Sequence, residues 1–186
     1  MAGKQQTKPN TWKDLIAGAQ WLIDHKYTST PLLGIEGGSA GGITVGRAMT
    51  ERPDLFGAVV GDVGLFNTVR AENDSNGVPN ISEFGTSTDP NQFKGLLEMD
   101  SYQHVEDGVK YPPTLLTTGM NDPRVPPWMP GKFAARLQAV GAPLVLLRVD
   151  YEAGHGIGST RQQVLAELAD TMSFYFWQFG VPGFQP

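Results

Sequence analysis

The chain has 186 residues, of which 40% are hydrophobic and 18% charged, proportions typical of a globular protein with a substantial core. Its 14 lysines and arginines are outnumbered by 19 aspartates and glutamates, and the net charge of -5 argues against a nucleic-acid-binding protein. The chain has no cysteine, which excludes disulfide frameworks and thiolate metal sites.

The chain begins with a polar lead, residues 1–10, and nothing after it predicts a boundary between domains. The lead lacks the apolar core of a signal peptide, and no later apolar run approaches the ~20 residues that cross a bilayer. We therefore expect residues 1–186 to form a single soluble domain without a membrane partner, with the cytoplasm as its default location.

The first third of the chain predicts two helices on either side of a short strand. Apolar side chains at helical spacing indicate a helix over residues 12–23, with Thr11 and Asp14 in the positions of a capping box. Residues 32–36 are a short apolar run between proline and glycine, which is typical of a buried strand. Residues 43–50 return to helical spacing.

The rest of the chain alternates strand and helix after one long excursion. Two apolar runs, residues 58–60 and 114–118, predict strands, and the turn-rich residues 70–95 between them predict a long loop with weak regular structure. Residues 144–149 predict a fourth strand. A helix is expected before that strand, with Phe133, Leu137 and Val140 on one face. Another helix is expected after the strand. It begins at Ser159 and contains four apolar residues at helical spacing: Val164, Leu168, Met172 and Phe176.

This order of elements predicts an α/β fold. Strands that alternate with helices need crossover connections, which produce a mainly parallel sheet, here of about four strands flanked by helices. In such sheets, functional groups gather in the loops beyond the carboxyl ends of the strands. Candidate site residues are therefore sought where a predicted strand ends.

The segment Gly37-Gly38-Ser39-Ala40-Gly41 fits the pattern G-x-S-x-G directly after the first predicted strand and before a helix. Small residues around the serine let strand and helix approach closely, and the turn exposes the hydroxyl as a nucleophile. The Ala40 amide at the helix N-terminus would face the developing oxyanion. The five-residue pattern alone is equally compatible with a glycine-rich turn that has no catalytic role.

A serine nucleophile needs a base, and the chain offers three histidines. His25 falls in the first helix and His104 in an irregular segment, where surface or structural roles are favoured. His155 lies in AGHGIG, between the fourth strand and the final helix, and is the preferred base.

The acid that orients the histidine is expected in a loop after a strand. Asp122 in GMNDPRVPP follows the third strand and is preferred over Asp62 and Asp150, which also follow strands. The order Ser39, Asp122, His155 is the order of triad residues in α/β-hydrolases. The three residues are therefore predicted to be nucleophile, acid and base.

Five stretches of the chain also carry a family resemblance: TWKDLIAGAQWLI, GIEGGSAGG, ERPDLFGAVVGDVG, GMNDPRVPP and AGHGIGSTRQQ. In this order they resemble the C-terminal catalytic domain of the prolyl oligopeptidase family of serine peptidases, over almost the whole chain from about Thr11. The resemblance implies a truncated α/β-hydrolase fold and the triad Ser39, Asp122 and His155. It also implies that the Ala40 amide is one half of the oxyanion hole.

The resemblance further assigns substrate-binding residues. Arg124 matches the arginine that holds a substrate backbone carbonyl in family peptidases; its alternative role is that of an exposed, solvated side chain. Asn80 stands near the place where prolyl-specific members carry a tryptophan that stacks on proline, and residues 70–95 contain no tryptophan. Strict cleavage after proline is therefore not expected.

Compared with the family, the chain resembles a form shortened on the N-terminal side, with room for neither the strands before the first helix nor a β-propeller domain. In family members that portion supplies a tyrosine that donates the second oxyanion hydrogen bond, and losing one such donor costs on the order of 10²–10³ in rate. The strand over residues 32–36 is then expected at a sheet edge, and the helix over residues 12–23 is expected to lose part of its cover. Both favour a homodimer or larger homo-oligomer with that strand or that helix at the interface.

The leading hypothesis is a serine hydrolase that forms an acyl-enzyme on Ser39 and hydrolyses short-chain carboxylic esters and peptide bonds. Its partners would be small esters or short peptides, and no nucleic acid, cofactor or metal is expected. Two alternatives stay open: a peptidase fragment that needs the missing N-terminal parts, and a catalytically weak interaction module.

Overall fold

A parallel sheet of four strands forms the centre of the computed structural model, which describes residues 3–156 and 159–186. The strands are hydrogen-bonded in the order in which they occur in the chain: β1 Gly34–Gly38, β2 Ala58–Asp62, β3 Thr114–Gly119 and β4 Val145–Asp150. Each neighbouring pair is parallel. The predicted α/β fold with a mainly parallel four-stranded sheet is confirmed.

Helices cover both faces of this sheet, because each parallel pair of strands needs a crossover connection. The described residues form α1 Pro9–Asp24, α2 Gly41–Glu51, α3 Thr68–Ala71, α4 Ile81–Phe84, α5 Pro90–Met99, α6 Trp128–Ala139 and α7 Arg161–Gln178. One face packs against α1, α2 and α6 through Trp12, Ile43 and Phe133, and the opposite face packs against α7 through Phe174. None of the helices within the described ranges combines the length and the hydropathy that a bilayer crossing needs.

The first helix begins earlier than the sequence pattern indicates. α1 starts at Pro9, and Lys8 occupies the N-cap position without a side-chain cap. Thr11 lies inside the first turn, where its hydroxyl donates to the Lys8 carbonyl, so the predicted capping box of Thr11 and Asp14 is wrong. Proline starts the helix instead, because its fixed φ suits a helix and an N–H at that position would lack an intrahelical partner.

The excursion between β2 and β3 is more regular than predicted, since it contains α3, α4 and the 10-residue α5. Asp89 caps α5 by accepting hydrogen bonds from the Asn91 and Gln92 amides, and Pro90 occupies its first turn. The Asp-Pro pair is therefore a readable helix start. The prediction of weak regular structure is wrong from residue 90 onward.

The final helix buries fewer of its apolar residues than a core helix does. It begins after a capping box between Thr160 and Gln163, one residue later than the Ser159 start that the sequence analysis expects. Its buried residues are Thr171 and Phe174. The four apolar residues that the sequence analysis places on it are all exposed: Val164, Leu168, Met172 and Phe176. One face of α7 is thus left without cover by the described residues.

The direction of the strands positions the candidate site. Because the four strands are parallel, the segments that follow β1, β3 and β4 emerge at the same edge of the sheet. These segments carry Ser39, Asp122 and His155, respectively.

Candidate active site

Ser39 occupies the sharp turn between β1 and α2. Its φ of 53° lies in the left-handed region, which is uncommon for a residue with a side chain. Three backbone hydrogen bonds hold it there. Its amide donates to the Asp62 carbonyl at 2.9 Å, and its carbonyl accepts from the Leu65 amide at 2.9 Å and from the Gly42 amide at 3.0 Å. The turn is therefore held in place by β2 and by the segment that follows β2.

Close backbone packing explains part of the glycine pattern around Ser39. A Cβ atom at Gly37 would lie 2.6 Å from the Gly41 carbonyl oxygen, and one at Gly42 would lie 2.6 Å from the Leu65 amide nitrogen. A Cβ atom at Gly41 would meet no atom within 4 Å. The close approach of strand and helix therefore requires Gly37 and Gly42, whereas packing does not require the last glycine of the pattern. Sequence reasoning missed Gly42, which falls outside the five-residue pattern.

We expect Gly42→Ala to destabilise the protein and Gly41→Ala to leave its stability intact. The methyl group at position 42 must displace the Leu65 backbone, and overpacking of this kind costs about 1–3 kcal/mol. Thermal unfolding should show a Tm lower by about 2–12 °C for Gly42→Ala, since about 1 kcal/mol shifts Tm by 2–4 °C at this chain length. Gly41→Ala, at an uncrowded helical position, should keep Tm or raise it slightly. Equal Tm values for the two variants would contradict the requirement for Gly42.

Ser39, His155 and Asp122 form a continuous hydrogen-bonded chain. His155 Nε2 lies 2.9 Å from Ser39 Oγ, and His155 Nδ1 lies 2.7 Å from Asp122 Oδ2. The side chains are shielded from water, with 6% of the imidazole and 0% of the aspartate exposed. The structure thus brings together the three residues that the sequence analysis selects from three separate strand ends.

Backbone amides hold the Asp122 carboxylate in this orientation. Asp122 Oδ1 accepts hydrogen bonds from the Arg124 and Val125 amides at 2.8 and 2.9 Å, which leaves Oδ2 for His155. Because an ionised carboxylate only accepts, the imidazole proton is assigned to Nδ1, and Nε2 is free to accept the Ser39 proton. This is the tautomer that a general base for a serine nucleophile requires.

The other two histidines lie away from Ser39. His25 Nδ1 contacts the Trp21 carbonyl oxygen, and its ring stacks on the Trp21 indole. His104 Nδ1 contacts the Asp100 carbonyl oxygen just after α5. Both histidines therefore have local surroundings that fit the surface or structural roles favoured by the sequence analysis.

The two competing acids have other hydrogen-bond partners. Asp150 accepts hydrogen bonds from the amides two and three residues ahead, which lower the pKa of its carboxyl and shape the loop that carries His155. Asp62 accepts a hydrogen bond from the Thr117 hydroxyl. Within the described part of the chain, neither carboxylate hydrogen-bonds to His155, and Asp122 alone has the position of a third triad residue.

Two free amides lie next to Ser39 at the start of α2. The Ala40 and Gly41 amides donate to no carbonyl or side chain among the described residues. Unpaired amides at a helix N-terminus carry the positive end of the helix dipole and attract negative charge. The position of the Ala40 amide is therefore compatible with the oxyanion role expected for it.

A pocket opens beside Ser39, between the segment that joins β2 to β3 and the loop that follows β3. Asn80 and Arg124 line it, and so do five large apolar residues that sequence reasoning did not identify: Leu65, Phe84, Leu96, Val125 and Met129. The Asn80 side chain donates to the Asn76 carbonyl at 2.7 Å. The Arg124 side chain is exposed. Both predicted substrate-binding residues thus lie at the pocket, without a stacking aromatic ring at position 80.

A group of acids lies between the sheet and α7. Thr117 donates to Asp62, and Glu167 of α7 lies beside both residues. Burial, and next to it the charge of Asp62, raise the pKa of Glu167, and the same two causes raise the pKa of Glu36 on β1. Arg148 offsets only part of the effect on Glu167. Within the described ranges, the acidic and histidine side chains form no group that could hold a metal ion.

We expect Glu167→Gln to stabilise the protein at neutral and alkaline pH. Folding raises the pKa of this carboxyl above its ordinary value of 4.5, so the folded protein holds the proton more tightly than the unfolded chain does. Below pH 4.5 the carboxyl therefore costs no stability. As the pH rises through the folded pKa, the protein loses stability, because the carboxyl must be charged in a place that disfavours the charge. Glutamine has the same shape without the charge, so Tm should rise by about 2–4 °C at pH 8, the shift that about 1 kcal/mol produces after allowance for solvent screening of the partly exposed Glu167. The gain should vanish near pH 4, and the exposed control Glu152→Gln should show no gain. A gain that persists unchanged at pH 4 would contradict this reading of Glu167.

Comparison with known proteins relates the chain to one family. The model of the prolyl oligopeptidase family matches residues 1–182. The prolyl endopeptidase of Dictyostelium discoideum is 37% identical over 180 residues, which are 94% of this chain and 24% of the relative. The prolyl endopeptidase of Elizabethkingia miricola is 36% identical over 183 residues, which are 97% of this chain and 26% of the relative.

Solved structures give a consistent result. A structure from a study of two prolyl endopeptidases matches with a TM-score of 0.93 at 40% identity, over 97% of this chain and 27% of that one. A post-proline cleaving enzyme from Rickettsia typhi matches with a TM-score of 0.92 at 28% identity, over 97% of this chain and 26% of that one. The chain therefore spans about a quarter of the length of the proteins that it matches.

Proposed function

The chain belongs to the prolyl oligopeptidase family, and from that premise we propose that residues 1–186 form one catalytic unit of a serine hydrolase. This unit hydrolyses short-chain carboxylic esters and peptide bonds through an acyl-enzyme on Ser39. The observation that carries the proposal is the hydrogen-bonded chain from Ser39 Oγ through His155 to the buried Asp122. The relatives named prolyl endopeptidase support peptide bonds as one class of substrate.

In the first proposed step, His155 Nε2 takes the proton from Ser39 Oγ while that oxygen attacks the substrate carbonyl carbon. Asp122 holds the imidazole in orientation and stabilises its positive charge, and the Ala40 amide donates a hydrogen bond to the oxyanion. The tetrahedral intermediate then expels an alcohol or an amine, which leaves with the proton from His155 Nε2. The acyl group stays on Ser39 as an ester.

In the second proposed step, a water molecule replaces the leaving group. His155 Nε2 takes a proton from the water as its oxygen attacks the acyl carbonyl carbon. The bond to Ser39 Oγ breaks, the proton moves from His155 to that oxygen, and the carboxylic acid leaves. The second step restores the free serine and the neutral imidazole.

The pocket supports a substrate range that is not restricted to proline. Asn80 lines the pocket and offers an amide side chain where a proline ring would need an aromatic face. Arg124 lines the same pocket and can donate hydrogen bonds to a substrate carbonyl oxygen. Esters need less protonation of the leaving group than amides, so short esters are the easier substrates for this site.

Covalent labelling tests the proposal most directly. A fluorophosphonate should label the folded chain once, on Ser39, and should label neither Ser39→Ala nor the heat-denatured chain. Peptide mapping by mass spectrometry locates the label. A folded chain that stays unlabelled would overturn the proposal in favour of an interaction module or of a fragment that needs further parts.

We expect kcat/KM to be higher for p-nitrophenyl butyrate than for a Gly-Pro p-nitroanilide. The reason lies in Asn80, which cannot stack on the proline ring, and in the better leaving group of the ester. The variant Asn80→Trp separates these causes, because an indole at this position should raise turnover of the Gly-Pro substrate without raising turnover of the ester. Efficient and proline-selective cleavage by the unaltered chain would contradict the expectation.

The assembly of the chain stays a prediction. Among the described strands, β1 pairs only with β2, and α7 exposes apolar side chains. By contrast, the helix α1, which the sequence analysis also places at an interface, packs on the core through Trp12 and Ala19. We propose a homodimer or larger homo-oligomer that covers the free edge of β1. Light scattering that reports a stable 20.1 kDa monomer at micromolar concentration would contradict it.

A further inference from the structure

One wall of the pocket beside Ser39 is supplied by the end of α4, a helix of a single turn. Phe84, the last residue of α4, lines the pocket and is buried, and Gly85 after it lines the pocket as well. One helical turn makes too few backbone hydrogen bonds to be stable by itself, so tertiary contacts must hold it. The position of Phe84 in the pocket wall therefore depends on what α4 packs against.

Lys8, the residue before α1, contacts α4 in two ways. Its ammonium donates to Glu83 Oε1 at 2.6 Å, and the same nitrogen lies 5.2 Å from the centre of the Phe84 ring. The Lys8 side chain is 10% exposed, so water and salt screen this ion pair less than they screen a surface pair. The Gln5 side chain adds longer hydrogen bonds, 3.4 Å each, to the first two carbonyls of α4.

The backbone of Lys8 is fixed by α1. Its carbonyl accepts hydrogen bonds from the Thr11 amide at 2.9 Å and from the Thr11 hydroxyl at 2.8 Å. Trp12, in the same turn, is fully buried and packs α1 on the core. The Lys8 ammonium is thus attached to the rigid part of the fold, and it holds a short helix that is not part of the sheet or its main covering helices.

The turn after α4 has anchors of its own. Glu72 accepts hydrogen bonds from the Thr86 hydroxyl and from both the amide and the hydroxyl of Ser87. These bonds do not involve Lys8. Removal of the Lys8 ammonium should therefore release α4 without unfolding the segment that joins β2 to β3.

We propose that Lys8 is a positioning residue that fixes the Phe84 wall of the pocket through α4, and that the acyl length accepted at Ser39 depends on it. This assignment rests on the proposed function, because it takes the pocket beside Ser39 as the place where the acyl group binds. A longer apolar acyl chain covers more of the apolar wall than an acetyl group does, so its binding depends more on the position of Phe84.

Two esters that differ in acyl length test the assignment. We expect Lys8→Met to lower kcat/KM for p-nitrophenyl hexanoate by about tenfold through a higher KM, and to leave p-nitrophenyl acetate within about twofold. A higher KM with unchanged kcat is the result of a lost binding contact, whereas partial unfolding would lower the rates of both esters alike. Lys13→Met, which changes an exposed lysine of α1, should leave both esters unaffected.

One backbone amide reports on α4 without any catalysis. The Gly85 amide donates to the Ile81 carbonyl at 2.8 Å and closes the helical turn. Its hydrogen exchange, followed by NMR, should be about tenfold faster in Lys8→Met than in the unaltered chain. Glu83→Gln should shift the exchange in the same direction by less, because the glutamine oxygen can still accept from the ammonium. Lys8→Met should stay folded, since methionine is apolar and the half-exposed Glu83 can be solvated.

The outcomes separate this assignment from the proposed function. If the acetate ester is hydrolysed in a Ser39-dependent manner and Lys8→Met changes neither the ratio of the two esters nor the Gly85 exchange, the role of Lys8 is overturned and the hydrolase stands. A change in only one of the two readouts also overturns the role, because α4 would not be the link between Lys8 and the pocket.

If neither ester is hydrolysed, the proposed function fails, and a thermal shift still tests the pocket. Hexanamide should then raise the Tm of the unaltered chain more than equimolar acetamide does, and Lys8→Met should lose that difference. An undiminished difference in Lys8→Met would overturn the assignment.

Discussion

Ser39→Ala should abolish turnover of p-nitrophenyl butyrate, with kcat lower by on the order of 10⁵–10⁶. The expected loss is this large because Ser39 Oγ is the hydroxyl oxygen that His155 Nε2 contacts, at 2.9 Å, and alanine leaves no atom there to be acylated. Initial rates by absorbance, with protein that is shown to be folded by circular dichroism, give the comparison. Turnover retained within about tenfold would remove Ser39 as the nucleophile.

Two further variants control for this result. Ser29→Ala removes a hydroxyl from an exposed position and should leave the rate unchanged. His155→Ala should be about as damaging as Ser39→Ala, and the double variant should lose nothing further, because triad residues act as a unit. A double variant with a much larger loss than either single variant would show that the two residues act independently.

Asp122→Asn should lower kcat by on the order of 10⁴ while the protein stays folded. The asparagine oxygen can still accept the Arg124 and Val125 amides that Asp122 Oδ1 accepts at 2.8 and 2.9 Å. Its NH₂ group then faces His155 Nδ1, which must accept rather than donate. The imidazole proton moves to Nε2, and that nitrogen can no longer take the proton of Ser39.

Asp150→Asn is the matched control for the choice of acid. The Asp150 carboxylate also accepts two backbone amides and also lies at a strand end, but it does not reach His155. Its loss should loosen the loop that carries His155 and lower the rate less than Asp122→Asn does. If Asp150→Asn were the more damaging of the two, the acid would be misassigned.

Much of the fold could be predicted from local patterns in the sequence. Short apolar runs between glycine and proline mark the strands, and the alternation of strand and helix predicts the parallel sheet. The errors are also local: Pro9 starts the first helix ahead of the Thr11 pattern, and Asp89-Pro90 starts α5 inside a segment that composition marks as a loop. In both cases a proline in the first turn is the stronger signal.

The burial of α7 could not be predicted in the same way. Leu168 and Met172 have the spacing of a helix face that packs on a core, yet both are exposed, and Phe174 makes the contact with the sheet. Spacing shows which residues share a face of a helix, but it does not show which surface, if any, covers that face. The same holds for Glu167, whose pKa is raised by burial and, next to it, by the charge of Asp62.

By itself, the sequence determined the fold class and predicted Ser39 and His155, because strand order and direction bring the ends of β1, β3 and β4 to one edge. It favoured Asp122 among three acids at strand ends. Only the tertiary structure decided which of the acids hydrogen-bonds to His155. It also decided that Gly42 is required by packing. The physical reason is distance along the chain: the bonds of His155 join residues 33 and 116 positions apart. Side-chain direction across such separations is set by packing and by backbone hydrogen bonds, which no local pattern records.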